Sequence, residues 1–163
     1  MSDNETGIDY RLLAQQMEGL CEDQPHWVVA LSNAAALLAE VLKDINWVGF
    51  YLRASYMDAE LGDDVLLLGP FQGKVACTRI AFGAGVCGTA ARRNGTVRVD
   101  DVHAFPGHIA CDAASASELV VPLCVGGRVV GVLDIDSPVL ARFSAEDQRG
   151  IELVAKAIEP SLA

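Results

Sequence analysis

Apolar residues near the start of the chain recur at helical steps. Leu13, Met17 and Leu20 fall at i, i+4 and i+7. After Pro25, which marks the start of a second run, Trp27, Leu31, Ala34, Leu38 and Val41 alternate steps of four and three. The spacing predicts two helices. The second carries a seam apolar enough either for core packing or for sharing with a second subunit. From Asn46 the period changes. Asn46 to Leu52 is β-branched and aromatic, with Trp47, Gly49 and Tyr51 on one face. Val65 to Leu68 reads as a buried strand closed by Gly69-Pro70, Val75 to Phe82 as another, and Val97 to Val99 as a short one. Ser55 to Asp64 is polar and acidic, a surface loop. Gly83 to Asn94 opens on glycines and continues as a short helix, and Asp100 to Ser117 is a loop holding His103 and His108. Glu118 to Val125 and Arg128 to Ser137 flank Gly126-Gly127, a hairpin signal. Ser144 and Asp147 form a capping box ahead of a last helix with Ile151, Val154, Ala155 and Ile158 on one face. Helices at both ends around a mostly antiparallel sheet predict an α+β fold.

Composition narrows the function classes. A chain of 163 residues, 52% hydrophobic and 21% charged, predicts one globular domain over residues 1–163, with residues 1–8 flexible. A net charge of −10 argues against nucleic acid or an anionic membrane as partner. No apolar run reaches the ~18 residues of a transmembrane helix. The opening segment lacks the basic and apolar stretches of a signal peptide, so a cytoplasmic, reducing location is expected. The odd count of five cysteines argues against a purely structural disulfide framework.

Chemistry concentrates in the second half. Cys77, Cys87 and Cys111 lie in Gly-rich or His-flanked segments rather than on apolar stripes, followed by Glu118 and by Asp134-Ile-Asp136. Thiols beside carboxylates point to redox chemistry on sulfur, in which a thiolate attacks, a carboxyl donates a proton and a second thiol regenerates the first. Asp134 and Asp136 share one strand face with Val130 and Val132. Carboxylates beside apolar surface need a cation or a shared proton, which suggests a pocket for an ammonium group or a raised-pKa acid. Trp47 and Tyr51 form an aromatic wall, with Gly49 leaving room for a small ligand. Gly83, Gly85 and Gly88 fit G-x-G-x-x-G with Asp100 and Asp101 downstream, but no βαβ units surround them; the amides at that helix start can hold a small anion instead. His103, His108 and Cys111, with Asp134 and Asp136, could ligate a metal, although the spacing matches no common zinc pattern. The histidines serve better as loop donors or as neighbours favouring a thiolate at Cys111. Cys21 and Cys124 read as small buried hydrophobes.

The hairpin poses a register problem. A plain two-residue turn at Gly126-Gly127 places Val125 opposite Arg128, Leu119 opposite Asp134, and Glu118 opposite Ile135, on the face away from both aspartates. A shared site therefore requires a register change, either a bulge near Pro122 or a three-residue loop with a glycine bulge.

The segments Asn46-Trp-Val-Gly-Phe-Tyr51, Leu68-Gly-Pro-Phe-Gln-Gly-Lys-Val-Ala-Cys77, Gly85-Val-Cys-Gly-Thr-Ala90, the run from Asp100 to Ser115, and Gly131-Val-Leu-Asp-Ile-Asp-Ser137 resemble the free methionine-(R)-sulfoxide reductases, single GAF-domain enzymes, from about Tyr10 to Ile158. The resemblance implies a GAF-like fold with terminal helices on one side of the sheet and a pocket of short helix and loops on the other. It implies reduction of free L-methionine (R)-sulfoxide without a bound cofactor. Cys111 would be the nucleophile, Cys77 the resolving thiol and Cys87 an auxiliary or second resolving thiol. Glu118, Asp134 and Asp136 would bind substrate and supply the proton, and Trp47 and Tyr51 would surround the thioether. Thioredoxin as reductant, a homodimer and a cytoplasmic location follow from the same resemblance. Ala116 departs from the family pattern, where Asn is expected, and Cys124 is not a family cysteine. A non-catalytic GAF-type sensor of a small ligand and a cysteine redox switch without substrate are the alternatives.

Overall fold

The computed structural model describes residues 7–108 and 113–163. Two helices open it, α1 (Tyr10–Cys21) and α2 (Trp27–Val41), capped by Asp9 and His26 side chains that accept from Leu12 N–H and Val28 N–H. Then follow β1 (Trp47–Arg53), a single helical turn α3 (Ala54–Met57), β2 (Val65–Gly73), β3 (Arg79–Ala81), α4 (Gly85–Arg93), β4 (Val97–Val99), β5 (Ser117–Val125), β6 (Arg128–Ser137) and α5 (Ala145–Ile158). The strands form one antiparallel sheet in the order β3-β2-β1-β6-β5-β4. Its fold is α+β, as the pattern predicts.

Each face of the sheet carries its own core. On one side α1, α2 and α5 cover Val48, Phe50, Leu119, Val121, Leu133 and Ile135. On the other, α4 and the loops cover Trp47, Tyr51, Leu66, Val120 and Val132. Of the α2 seam, Leu31, Ala34 and Leu38 are fully buried within the chain, while Trp27 and Val41 pack on the same core and stay partly exposed. α1 is stitched to α5 at a buried polar knot. The Tyr10 hydroxyl donates to Asp147 Oδ1 at 2.5 Å, and Arg142 Nη1 donates to Asp147 Oδ2 at 3.1 Å. Asp147 also completes the capping box with Ser144. Gly150 admits the Tyr10 ring, since a Cβ there would lie 2.1 Å from it.

Several local expectations change. β2 continues through Gly69-Pro70, because the extra residue is absorbed as a bulge against Gly49–Tyr51 rather than ending the strand. Of Val75 to Phe82 only Arg79–Ala81 is strand. The polar segment after β1 starts with the turn of α3. Of the leading residues expected to be flexible, 1–6 lie outside the described residues, and Ile8 packs against the helical core. No helix among the described residues is long and apolar enough to cross a membrane.

The register change at the hairpin is present. Gly126 and Gly127 have φ of 60° and 79° and make a two-residue turn between Val125 and Arg128. The ladder then slips between Cys124↔Val129 and Leu123↔Gly131. The extra residue is Val130 on β6. Pro122 is not the interruption, since it pairs regularly with Val132. Val130 consequently joins the helix-side core with Leu133 and Ile135, while Val129 and Val132 join the opposite one. Val130 thus does not share the aspartate face; Val132 does.

Candidate active site

Antiparallel register assembles the site. Glu118 on β5 pairs with Asp136 on β6, and Asp136 pairs with Trp47 on β1, so three site residues form one row across three strands. Asp134 lies two residues along β6, opposite Gly49, and Tyr51 lies two further along β1, opposite Val132. Directly paired residues share a face, so all five side chains rise on the side covered by α4. The first turn of α4, Gly85 to Cys87, closes the pocket from above. Gly88 brings the helix close to β3: a Cβ there would lie 2.3 Å from Ala81 O. That contact is what the glycine motif does here. The sheet is antiparallel throughout, so a dinucleotide-binding βαβ unit is ruled out.

The resulting pocket holds about 540 Å³ of space, part of it open to solvent. Trp47, Tyr51, Ile80, Cys87, Ser115 and the three carboxylates are among its lining. One wall is aromatic. Trp47 stacks on Tyr51 at 5.8 Å and on Phe71 at 5.3 Å. Gly49 makes this stack possible rather than leaving room for a ligand, because a Cβ would lie 2.3 Å from Phe71 Cβ and 2.8 Å from the Trp47 indole. Phe71 was hidden from sequence reasoning by the reading of Gly69-Pro70 as a strand end. Ser115 accepts a 3.1 Å hydrogen bond from Asn46 Nδ2; its only sequence signal was its place in the Asp100–Ser115 motif.

The opposite wall is acidic and dry. Glu118 and Asp134 are buried, at 6% and 5% exposure. Burial first, then the charges of Asp134 and Asp136, raises the Glu118 carboxyl well above the ordinary carboxylate range. Asp134 is raised by burial but held down by hydrogen bonds from Glu118 and Cys87. Both carboxyls are raised, so the buried pair keeps a proton that the two share. Among the described residues Asp134 Oδ1 has no hydrogen-bond partner, an orphaned acceptor that suits a cationic or donating ligand. His108 joins this wall, with Nε2 3.9 Å from Glu118 Oε1. Burial, then the nearby His103, lowers its pKa, so the ring is neutral near pH 7.

The thiols differ sharply. Cys87 is buried and free. Burial, then Asp134, Glu118 and Asp136, pushes its thiol well above the ordinary range, which makes it a hydrogen-bond donor rather than a thiolate. Cys77 is half-buried beside the aromatic wall and is disulfide-bonded. Cys111 lies outside the described residues. Cys21 is buried at 4% exposure in the helix-side core. Cys124 is half-buried near the hairpin end, its thiol 3.1 Å from Asn94 Oδ1. Ligand-type atoms of Cys87, Glu118 and Asp134 lie within 4.8 Å of one another. Hydrogen bonds of Glu118 and Cys87 to Asp134 engage these groups in part, and Asp134 Oδ1 is left over. His103 is exposed, and His108 does not belong to that trio.

The pattern of the GAF domain family matches residues 29–162. The chain is 51% identical over 154 residues to the free methionine-R-sulfoxide reductase of Escherichia coli strain K12, covering 94% of this chain and 88% of that protein. It is 46% identical over 149 residues to the free methionine-R-sulfoxide reductase of Saccharomyces cerevisiae, covering 88% and 80%. The X-ray structure of free methionine-R-sulfoxide reductase from Neisseria meningitidis in complex with its substrate matches with a TM-score of 0.85 at 48% identity, covering 94% of this chain and 87% of that one. The chain belongs to the free methionine-R-sulfoxide reductase family of GAF-domain proteins. Of the residues carried over from the free methionine-R-sulfoxide reductases, Trp47, Tyr51, Cys87, Glu118, Asp134 and Asp136 line one pocket. Cys77 reaches it through the Tyr51 hydroxyl, which donates to Cys77 O at 2.9 Å.

Proposed function

We propose that this protein reduces free L-methionine (R)-sulfoxide to L-methionine. The observation that carries the reading is the pocket itself: a buried Glu118 beside two aspartates faces an aromatic wall. A zwitterionic amino acid fits these parts. Its ammonium meets Asp134 and Asp136, its carboxylate meets the amides of the first turn of α4, and its methyl-sulfur end lies against Trp47 and Tyr51. A sulfoxide oxygen leaves only when protonated, and the buried pair of Glu118 and Asp134 keeps a proton. The thiolate of Cys111 attacks sulfur while Glu118 delivers its proton to oxygen, giving methionine, a Cys111 sulfenic acid and ionised Glu118. Cys77 then condenses with the sulfenic acid, releasing water and forming a disulfide. Thioredoxin supplies the two electrons that reopen it, so no bound cofactor takes part. From the resemblance we carry forward a homodimer in the cytoplasm. A thiol buried and held neutral suits Cys87 to an auxiliary role.

The deciding assay is turnover of free methionine R- and S-sulfoxides with dithiothreitol. The R form should be consumed and the S form left. Binding without turnover would favour a small-ligand sensor instead, and disulfide formation with peroxide but not with methionine sulfoxide would favour a redox switch.

Two further results are expected. N-acetylmethionine sulfoxide and sulfoxide within a peptide should react at least ~100-fold more slowly than the free amino acid. An amide in place of the ammonium leaves buried carboxylates unpaired, which costs several kcal/mol. Comparable rates would sink the ammonium assignment. Cys77→Ser should release one methionine per protein and then stop under thioredoxin, which quench-flow and product counting would show. Full thioredoxin-driven turnover would reassign the resolving thiol to Cys87.

A further inference from the structure

The aromatic wall of the pocket also holds the backbone that carries Cys77. Trp47 Nε1 donates to Lys74 O at 3.2 Å, and the Tyr51 hydroxyl donates to Cys77 O at 2.9 Å. In the segment between β2 and β3, Lys74 and Thr78 are exposed and Val75 is 89% exposed, while Ala76 and Cys77 pack partly against the core and Leu68 N–H donates to Thr78 O at 3.1 Å. Tyr51, by contrast, sits on the central strand β1 at 2% exposure, stacked on Trp47. The contact joins a buried central strand to the carbonyl of the cysteine itself.

We propose that Tyr51 is the positioning residue for Cys77, its hydroxyl holding the 74–78 segment where the disulfide closes. The catalytic meaning of this tether rests on the reductase reading. In the step concerned the Cys77 thiol attacks the sulfenic sulfur of Cys111. An S–S bond forms and the S–O bond breaks. The sulfenic hydroxyl leaves as water with the thiol proton, so Cys77 is oxidised and the sulfenic sulfur reduced. Such a step draws its rate from orientation, and a displacement of ~1 Å can cost ~100-fold. Burial, with Asp134 close by, pushes the Tyr51 hydroxyl above its ordinary range, so it keeps the proton it donates. The resolving thiol is thereby held by a side chain that also faces the substrate.

Tyr51→Phe keeps the ring and removes only the donor. Wild type and variant are first equilibrated with oxidised and reduced dithiothreitol, alkylated and read by mass spectrometry. The disulfide at Cys77 should be about five- to tenfold easier to reduce in the variant, as expected for one lost hydrogen bond. In a single turnover with free methionine R-sulfoxide and dimedone, the variant should accumulate a sulfenic-acid adduct while its disulfide closes about 10- to 100-fold more slowly. Trp47→Phe removes the other donor and should shift both readouts the same way; it decides the matter if Tyr51→Phe does not fold. An unchanged dithiol equilibrium together with wild-type closure would overturn the tether. Wild type that releases no methionine would remove the reductase reading, while a shifted dithiol equilibrium in Tyr51→Phe would still uphold the tether.

Discussion

Replacing Cys111 with serine should reduce methionine sulfoxide turnover to the uncatalysed background. An alcohol is not ionised near neutral pH and cannot replace a thiolate. The role proposed for Cys111 is what the family resemblance implies, and the surroundings of the other free thiols are in keeping with it. Cys87 is held protonated among carboxylates. Burial pushes Cys21 up to about 11, and burial, then Glu159, raises Cys124. With dithiothreitol as reductant the resolving thiol is dispensable, so the assay isolates the first step. Cys87→Ser, measured alongside, should retain a substantial share of activity. A Cys111→Ser protein that still turns over would move the nucleophile to one of the thiols argued against here.

Glu118→Gln should lose ~100- to 10,000-fold in kcat/KM, the span of a general acid, since Gln keeps the shape and has no acidic proton. Asp136→Asn should also cost far more activity than Glu146→Gln, whose carboxylate lies on α5 away from the pocket. The pH profile carries the sign. With its pKa raised by burial and by Asp134 and Asp136, Glu118 is the competent acid at neutral pH, and activity should fall as pH rises through the folded-state value. Stability follows the same direction. Above the ordinary carboxylate range the unfolded chain has lost a proton that the folded protein keeps, so each rise in pH up to the folded value favours unfolding. Glu118→Gln removes that liability and should melt higher than wild type at pH 7 and above, with the gap closing in acid. A variant both inactive and less stable at every pH would show that Glu118 serves packing rather than proton delivery.

The sequence already contained most of the site's chemistry, because residue type and strand period do not depend on tertiary detail. Alternation alone places Asp134 and Asp136 on one face, and a site shared with Glu118 required the hairpin to slip. What sequence could not say was which strand carries the additional residue. Pro122 lacks an N–H and looked like the interruption, yet its ladder pairing is regular and Val130 bulges instead. Gly49 was misjudged for a similar reason. A glycine between two aromatics signals free volume, and only the fold shows that Phe71 and the Trp47 indole fill it. The tether between Tyr51 and Cys77 was illegible because it joins residues 26 apart through a backbone carbonyl, a group every residue carries.

The knot between Tyr10 and Asp147 sets the order in which this molecule can be completed. It closes a contact between residues 137 apart, and chain closure over such a span is favoured only once the intervening sheet has shortened the path. In chain order Leu13, Met17 and Cys21 meet α2 first, and α5 completes their cover only once the last helix is made. A long interval also separates β1 from β6, whose Asp136 pairs with Trp47, so the aromatic half of the pocket waits for its acidic half.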